Sequence, residues 1–433
     1  MGLFGTSGIR AIVDGWLIQL ALKVGLAVGQ LNDNVVVGCD TRTSSGAMKQ
    51  AVTSGLLAAG ARSFDTGVLP TPTLALAARE FDAGVMITAS HNPPEYNGIK
   101  LLNPDGSAFD SHQQKQIEEM ILSDSLPVAS WDRFQSGGIY HDAVDRHIEH
   151  ILADFPGKFK LKVALDCGCG AASFITPELL RRMGCEVVAL NCYPSGFSPR
   201  AVEPTEANLA DLIKATHESG ADLGIAHDGD ADRMMVVDDR AGFICGDKLL
   251  VLLAHELGAK QVVTTIDASM AIDEAGFTVI RTGVGDNHVS QELKKGGDFG
   301  GEPSGSWIFP RNSLCPDGVY AAAQVVSIAS RQKLSHLARA IPSYPLLRGS
   351  LGSNGVLMPD LEQKLVAAMK PLSVSKVDGI KLNLDGGWLL IRASGTEPKI
   401  RVTAEAKTES QARRLYDNVI RLIKKSIAES KEN

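Results

Sequence analysis

The sequence predicts an α/β protein: three topologically similar α/β domains with mixed, mainly parallel sheets, then a smaller C-terminal α+β domain, around a central cleft. Three observations carry this. Strand-like runs rich in Val and Ile alternate with helix-period segments, as βα units require. The alternation recurs three times, each copy running a strand into a loop of polar, chemically able residues. From residue 346 onward the plan changes. Ligands in open α/β sheets gather at the carboxyl ends of strands, so the three loops are expected to face one cleft.

In the first copy, Val35 to Gly38 ends at Cys39-Asp40, Ala61 to Asp65 follows, and Gly84 to Ala89 runs into Ser90-His91-Asn92. A helix over Ala143 to Ala153 leads into the second copy. There Val163 to Asp166 enters a glycine-rich turn, Glu186 to Leu190 follows, and Asp222 to Ala226 runs into His227-Asp228-Gly229-Asp230. The third copy has Val262 to Ile266, Thr278 to Ile280, and Asp298 to Gly301 running into Glu302-Pro303-Ser304-Gly305. Ser343 to Gly355, rich in Ser, Gly and Pro, reads as a linker. Beyond it come a helix near Leu361 to Met369, strand-like runs Gly379 to Leu384, Trp388 to Ile391 and Lys399 to Glu405, and a helix from Glu409. The domains are accordingly placed at 1–145, 146–243, 244–345 and 346–433.

A length of 433 residues suits several domains of ~150 residues each. Lys+Arg 43 against Asp+Glu 50 leaves a net charge of −7 without long blocks of either sign, which argues against nucleic acid as a partner. No apolar run approaches the ~18 residues of a membrane span, and no secretory signal opens the chain, so the reading is a cytoplasmic protein without a membrane partner. Oligomeric state is not legible. Seven cysteines without a C-x-x-C pair indicate neither a disulfide framework nor a zinc site. Met1-Gly2 with Thr6 fits a myristoylation pattern in form, but those residues belong to a more specific motif below.

Four segments invite a chemical reading. Thr88 to Pro94 sets a hydroxyl at the end of an apolar run, on a loop that two prolines stiffen; its structural alternative is a turn in which Ser90 and Asn92 merely bond backbone. No G-x-S-x-G elbow surrounds Ser90, which argues against acyl hydrolysis. Asp228, Asp230 and Asp232 place three carboxylates at alternate positions after a strand; clustered anions repel unless a cation neutralises them, and hard oxygen ligands select Mg²⁺ or Ca²⁺, the alternative being a solvated acidic turn. Arg233 stands where an EF-hand needs glycine, so that motif fails. Arg392 to Pro398, with Arg401 nearby, gathers a guanidinium, hydroxyls and a glycine into an anion-binding loop or a capped turn. Asp166 to Ser173 resembles half of a dinucleotide fingerprint, but Ser173 replaces its third glycine and Asn191 stands where a ribose-binding carboxylate belongs, so it reads as a packing turn.

Together these segments resemble the α-D-phosphohexomutase superfamily, over essentially the whole chain. The matching residues are Phe4 to Arg10, Thr88 to Lys100 (TASHNPPEYNGIK), Asp228 to Arg233 (DGDADR), Gly300 to Gly305 (GGEPSG) and Arg392 to Arg401 (RASGTEPKIR). The resemblance implies four domains, three alike and the fourth different. It implies that Ser90 is phosphorylated and that Asp228, Asp230 and Asp232 bind Mg²⁺ together with that phosphate. His91, Asn92, Arg10, Lys100 and Arg233 would surround the reacting phosphoryl group. Glu302 and Ser304 would contact sugar hydroxyls; Arg392, Ser394, Gly395, Thr396 and Arg401 would hold the distal phosphate.

The implied reaction moves a phosphoryl group between O6 and O1 of a hexose through a hexose 1,6-bisphosphate intermediate, which also serves as activator. Ser306 and Gly283 depart from relatives that carry His and Lys there, and Asn287 or His288 is the expected substitute. Asp286, where relatives handling neutral hexoses often carry His, resembles the phosphoglucosamine mutase branch. Its carboxylate would favour an ammonium-bearing sugar, the alternative being a helix N-cap. The preferred reaction is therefore read as glucosamine 6-phosphate to glucosamine 1-phosphate, with mannose or glucose phosphates as the alternative. Two rival functions are a phosphatase using Asp228 as nucleophile and a non-catalytic sugar-phosphate binding protein.

Overall fold

The computed structural model describes residues 2–5, 7–123, 126–352, 358–393 and 399–432, without side chains beyond 428. The first sheet holds β1 (Ile9–Ile12), β2 (Asn34–Cys39), β3 (Arg62–Val68), β4 (Ala83–Ile87), β5 (Tyr96–Leu102) and β6 (Gly138–Ile139), in the order β1-β5-β4-β2-β3-β6. The second holds β7 (Lys162–Asp166), β8 (Glu186–Leu190), β9 (Leu223–His227), β10 (Met234–Val237) and β11 (Phe243–Ile244), ordered β11-β10-β9-β7-β8. The third, of β12 (Gln261–Thr265), β13 (Thr278–Thr282), β14 (Phe299–Glu302) and β15 (Ser306–Ile308), is ordered β13-β12-β14-β15.

One plan underlies all three: β3-β2-β4-β5, β8-β7-β9-β10 and β13-β12-β14-β15 have the same order. The last two strands of each form an antiparallel pair. The Ser90 loop, the Asp228–Asp232 loop and the Glu302–Ser306 loop all occupy the turn of that pair. Each chemical loop thus joins one strand of the sheet to an antiparallel neighbour.

Apolar faces of Gly15–Leu31, Ser45–Ala59 and Ser111–Leu122 cover one side of the first sheet, with Leu17, Val24, Val28, Met48, Leu56, Ile117 and Val35 in its core. The first two helices cross backbone to backbone, because a Cβ on Gly25 would lie 2.2 Å from the Val52 carbonyl and one on Gly55 2.2 Å from that of Leu22. No side chain fits there without separating the helices.

The chain divides into two compact units, 1–262 with 285–340 and 263–284 with 341–433. In the second, β16 (Leu346–Gly352), β17 (Ser373–Ser375), β18 (Ile380–Leu384), β19 (Gly387–Ala393) and β20 (Lys399–Ala406) form an antiparallel sheet, ordered β16-β20-β19-β18-β17. Its alternating residues Leu382, Leu389, Ile391, Ile400 and Val402 pack on Leu361, Leu365, Val419 and Ile423 of the helices Met358–Met369 and Glu409–Glu432. The linker read at Ser343 to Gly355 is a correction: its centre is β16, paired along its length with β20. Gly349 looks like a linker residue but makes room for Tyr416, whose hydroxyl would lie 1.9 Å from a Cβ there. Among the described residues no helix is long and apolar enough to cross a membrane.

Candidate active site

Thr88, Ala89 and Ser90 are buried where β4 ends. Ser90 takes a left-handed backbone, φ 51°, a conformation costing about 1–3 kcal/mol that surrounding bonds must hold. Its N–H donates to Thr88 Oγ1 at 2.9 Å, and that hydroxyl donates to Asp40 Oδ2 at 2.7 Å. Asp40 also takes the Arg42 guanidinium at 3.2 Å and the Ser45 hydroxyl at 2.6 Å. Arg42 in turn donates to the carbonyls of Ser90 and Asn92 (2.8 and 2.7 Å) and of Pro93 and Tyr96 (2.7 and 2.9 Å). A buried ion pair therefore clamps the loop by its own carbonyls.

The Asp loop meets this one directly. Gly229 is required, since a Cβ would lie 2.6 Å from the Ser90 carbonyl. Ser90 Oγ donates to Asp228 Oδ2 at 2.6 Å and stands 3.5 Å from Asp232 Oδ1 and 3.3 Å from His91 Nδ1. From β5, the ammonium of Lys100 reaches Asp230 Oδ2 at 2.8 Å and Asp232 Oδ2 at 2.5 Å. The Thr71 hydroxyl donates to Asp230 Oδ2 as well. On β1, Arg10 Nη1 holds the Asn92 side chain at 2.9 Å. Arg233 gives its backbone N–H to Asp228 Oδ1 at 3.2 Å and its guanidinium to Glu203 at 2.8 Å.

Burial first, then Asp232 and Asp230, push the Asp228 carboxyl well above its usual range. At Asp230 burial acts in the same direction, but Lys100 outweighs it and the net shift is downward. Burial opposes the charge on Lys100, yet Asp230 and Asp232 hold its pKa above the ordinary lysine value. His91 is pushed down to about 3 by burial and by Arg233 and Arg10, so its ring is neutral at physiological pH.

The residues fit a divalent cation. One oxygen each from Asp228, Asp230 and Asp232 lie within 4.8 Å of one another, all three residues are buried, and Asp230 Oδ1 has no partner among the described residues. A buried carboxylate oxygen without a donor is costly, and a hard cation would satisfy it.

The third loop is tied to the second through Met234, whose N–H bonds the Gly305 carbonyl (2.9 Å) and whose carbonyl accepts from Trp307 Nε1 (2.8 Å). Glu302 accepts from the Gly285 N–H at 2.9 Å, and Ser304 Oγ is buried without a partner among the described residues. Asp286 does not cap its helix. Gly285 holds the cap position, while Asp286, the first helical residue, accepts from Ser7 Oγ at 2.5 Å.

In the second compact unit, Arg392 pairs with Asp378 at 2.6 Å and leaves its Nε buried and without a partner among the described residues. Arg401 stands directly opposite Arg392 across β19 and β20. Like charges so placed repel, and an anion between them would relieve this. Ser394, Gly395 and Thr396 lie outside the described residues.

Asp40, Arg42, Thr71 and Glu203 were not singled out from sequence. The one available signal was Asp40 and Arg42 beside a predicted strand end, a pair that must be satisfied if buried. Arg233, adjacent to the acidic triplet, is not its main cation; Lys100, distant in sequence, has that place.

Comparison with known families matches residues 1–127, 145–242 and 245–344 to α/β/α domains I, II and III of phosphoglucomutase/phosphomannomutase, and 356–422 to their C-terminal domain. A probable phosphoglucosamine mutase of Methanocella arvoryzae is 47% identical over 437 residues, covering 99% of each chain. One of Methanococcoides burtonii is 47% identical over 440 residues, covering 99% of this chain and all of its own. Among solved structures, a phosphoglucomutase/phosphomannomutase family protein of Burkholderia thailandensis superposes with a TM-score of 0.86 at 28% identity, covering 98% of this chain and 97% of its own.

Proposed function

Because the chain belongs to the phosphoglucomutase/phosphomannomutase family, we propose that it is a cytoplasmic phosphohexomutase that interconverts glucosamine 6-phosphate and glucosamine 1-phosphate. The observation that carries the chemistry is Ser90 Oγ, held on a strained, clamped loop 2.6 Å from one of three clustered carboxylates. Relatives named as probable phosphoglucosamine mutases, matched over 99% of this chain, support the substrate.

O6 and O1 of a hexose are too far apart for direct transfer, so a phosphate on Ser90 serves as the relay. A sugar hydroxyl attacks the phosphorus, the P–Oγ bond breaks, and the hydroxyl proton passes to Ser90 Oγ. Neutral His91, 3.3 Å from that oxygen, is placed to relay the proton. The resulting 1,6-bisphosphate turns over and returns its other phosphate to Ser90 by the reverse steps. Lys100, Arg10 and Arg233 offset the charge of two phosphates in one site. Asp228, Asp230 and Asp232 would hold Mg²⁺ with the phosphoserine, and the ion would supply charge neutralisation at the transferring phosphoryl group. Glu302 and Ser304 bind sugar hydroxyls; Arg392 and Arg401, with Ser394, Gly395 and Thr396, take the phosphate not being transferred.

Asp286 contributes to sugar choice only if substrate displaces its bond from Ser7. The test compares kcat/KM on glucosamine, glucose and mannose phosphates, with release of free phosphate followed in parallel and Ser90→Ala as control. Isomerisation of glucosamine phosphate without phosphate release, lost in Ser90→Ala, is the expected result. Preference for mannose or glucose phosphate would reject the amino sugar, and net phosphate release would favour the phosphatase. Asp286→Asn should narrow the preference for the amino sugar.

A further inference from the structure

Cys167 and Cys192 lie outside the chemistry above. Cys167 directly follows β7 and Cys192 stands two residues beyond β8; these strands run parallel with Asp166 opposite Leu190, so the two chain ends emerge side by side. Their sulfur atoms are 3.4 Å apart and joined by a thiol hydrogen bond. All seven cysteines are free thiols, and these two differ in access: Cys167 is fully buried, Cys192 partly exposed. Their neighbour Cys169 is also partly exposed, but its thiol has Ser195 as partner.

We propose that Cys192 and Cys167 form a peroxide-reactive pair in which Cys192 is oxidised first and Cys167 closes a reversible disulfide. The Cys192 sulfur attacks hydrogen peroxide, the O–O bond breaks, and one oxygen stays on sulfur as a sulfenic acid while the other leaves as water. The Cys167 sulfur then attacks that sulfur; the S–S bond forms, the S–O bond breaks, and the oxygen leaves as a second water with the Cys167 proton. Two thiols lose two electrons and one peroxide gains them.

Three features divide the roles. Of the two residues, Cys167 is buried and Cys192 is partly exposed. Its hydrogen bond with Cys167 draws the Cys192 thiol below its ordinary pKa, favouring the nucleophilic thiolate, whereas burial pushes Cys167 well above it. Closing the pair asks the sulfurs to move from 3.4 Å to about 2.05 Å. The disulfide then shields Cys192 from a second peroxide, keeping oxidation at its reversible stage. Cysteine pairs of this kind are the usual disulfides of reducing compartments.

The test treats the reduced full-length protein with stoichiometric hydrogen peroxide, titrates its thiols and maps the peptides. Two thiols lost per chain, a linked Cys167–Cys192 peptide, and recovery with dithiothreitol are expected. In Cys167→Ser, Cys192 should instead yield a dimedone adduct and proceed to sulfinic acid. If that variant does not fold, the wild-type map decides alone. A Cys169–Cys192 link, sulfinic acid on Cys192 with Cys167 still free, or an unreacted Cys192 would overturn the assignment.

Discussion

The guanidinium of Arg42 donates a 2.8 Å hydrogen bond to the main-chain carbonyl of Ser90, and through Asn92, Pro93 and Tyr96 it holds the rest of the same loop. Arg42 touches no reacting atom in the proposed chemistry, so its effect on rate would come through the position of the Ser90 hydroxyl. Arg42→Met should lower kcat by about 10²-fold with a small change in KM, since misplacement of a reacting group by about 1 Å costs that much. It should also lower stability by about 3–5 kcal/mol, because Asp40 is left buried and unpaired. Arg42→Lys should recover part of the stability but little of kcat, since an ammonium cannot span four carbonyls. Equal losses of kcat and stability in both variants would mean that the pair only supports the fold.

Removal of divalent cations should silence the enzyme and Mg²⁺ should restore it. Asp230→Asn should weaken Mg²⁺ binding by at least 10-fold, read by calorimetry and by the Mg²⁺ dependence of rate, because it removes the charge beside the unpartnered Oδ1. Full activity after chelation would contradict a metal at these aspartates.

Arg392→Ala should raise KM for every phosphosugar by about 10- to 100-fold, the value of one charge-assisted bond at about 1.5–3 kcal/mol. The phosphate content of Ser90, read by intact mass, should stay unchanged. An unaltered KM would place the distal phosphate elsewhere.

Lys381 predicts a pH dependence of stability. Its ammonium donates to the Ile266 carbonyl at 2.7 Å and lies 4.2 Å from the centre of the Trp388 ring. Burial, followed by Arg281, pushes its pKa down to about 7. An unfolded lysine titrates near ~10.4. Between these values the unfolded chain holds the proton and the folded chain has lost it, so this residue makes stability rise with pH from about 7 to about 10. The penalty is full below pH 7. Denaturant unfolding at pH 7, 8 and 9 should show Lys381→Met more stable than the wild type at pH 7 by up to several kcal/mol, at ~1.4 kcal/mol per pH unit of the difference, with the gap closing as pH rises. A gap independent of pH would assign the effect to packing.

The sequence alone determined the threefold α/β plan, the different fourth region and the chemical loops. Those signals are local: alternation of apolar residues sets strands, Pro93 and Pro94 stop one, and three aspartates at alternate positions after a strand set like charges side by side. Tertiary structure decided which groups meet. Lys100, 130 residues from Asp230, is bonded to it because β5 pairs with β4 and carries the lysine to the triplet. Asp40 read as a strand end, and with Arg42 it became the clamp on Ser90. Ser343 to Gly355 has the composition of a linker, yet β20 offers its edge and room for Tyr416 beside Gly349, and its centre becomes a strand. Asp286 had a helix cap among its local readings, but Gly285 holds that position and Asp286 instead accepts at 2.5 Å from Ser7, 279 residues away. In each case the deciding partner is distant in the chain, and a buried donor or acceptor takes whatever complement the packed fold brings within reach, which the pattern around either residue does not encode.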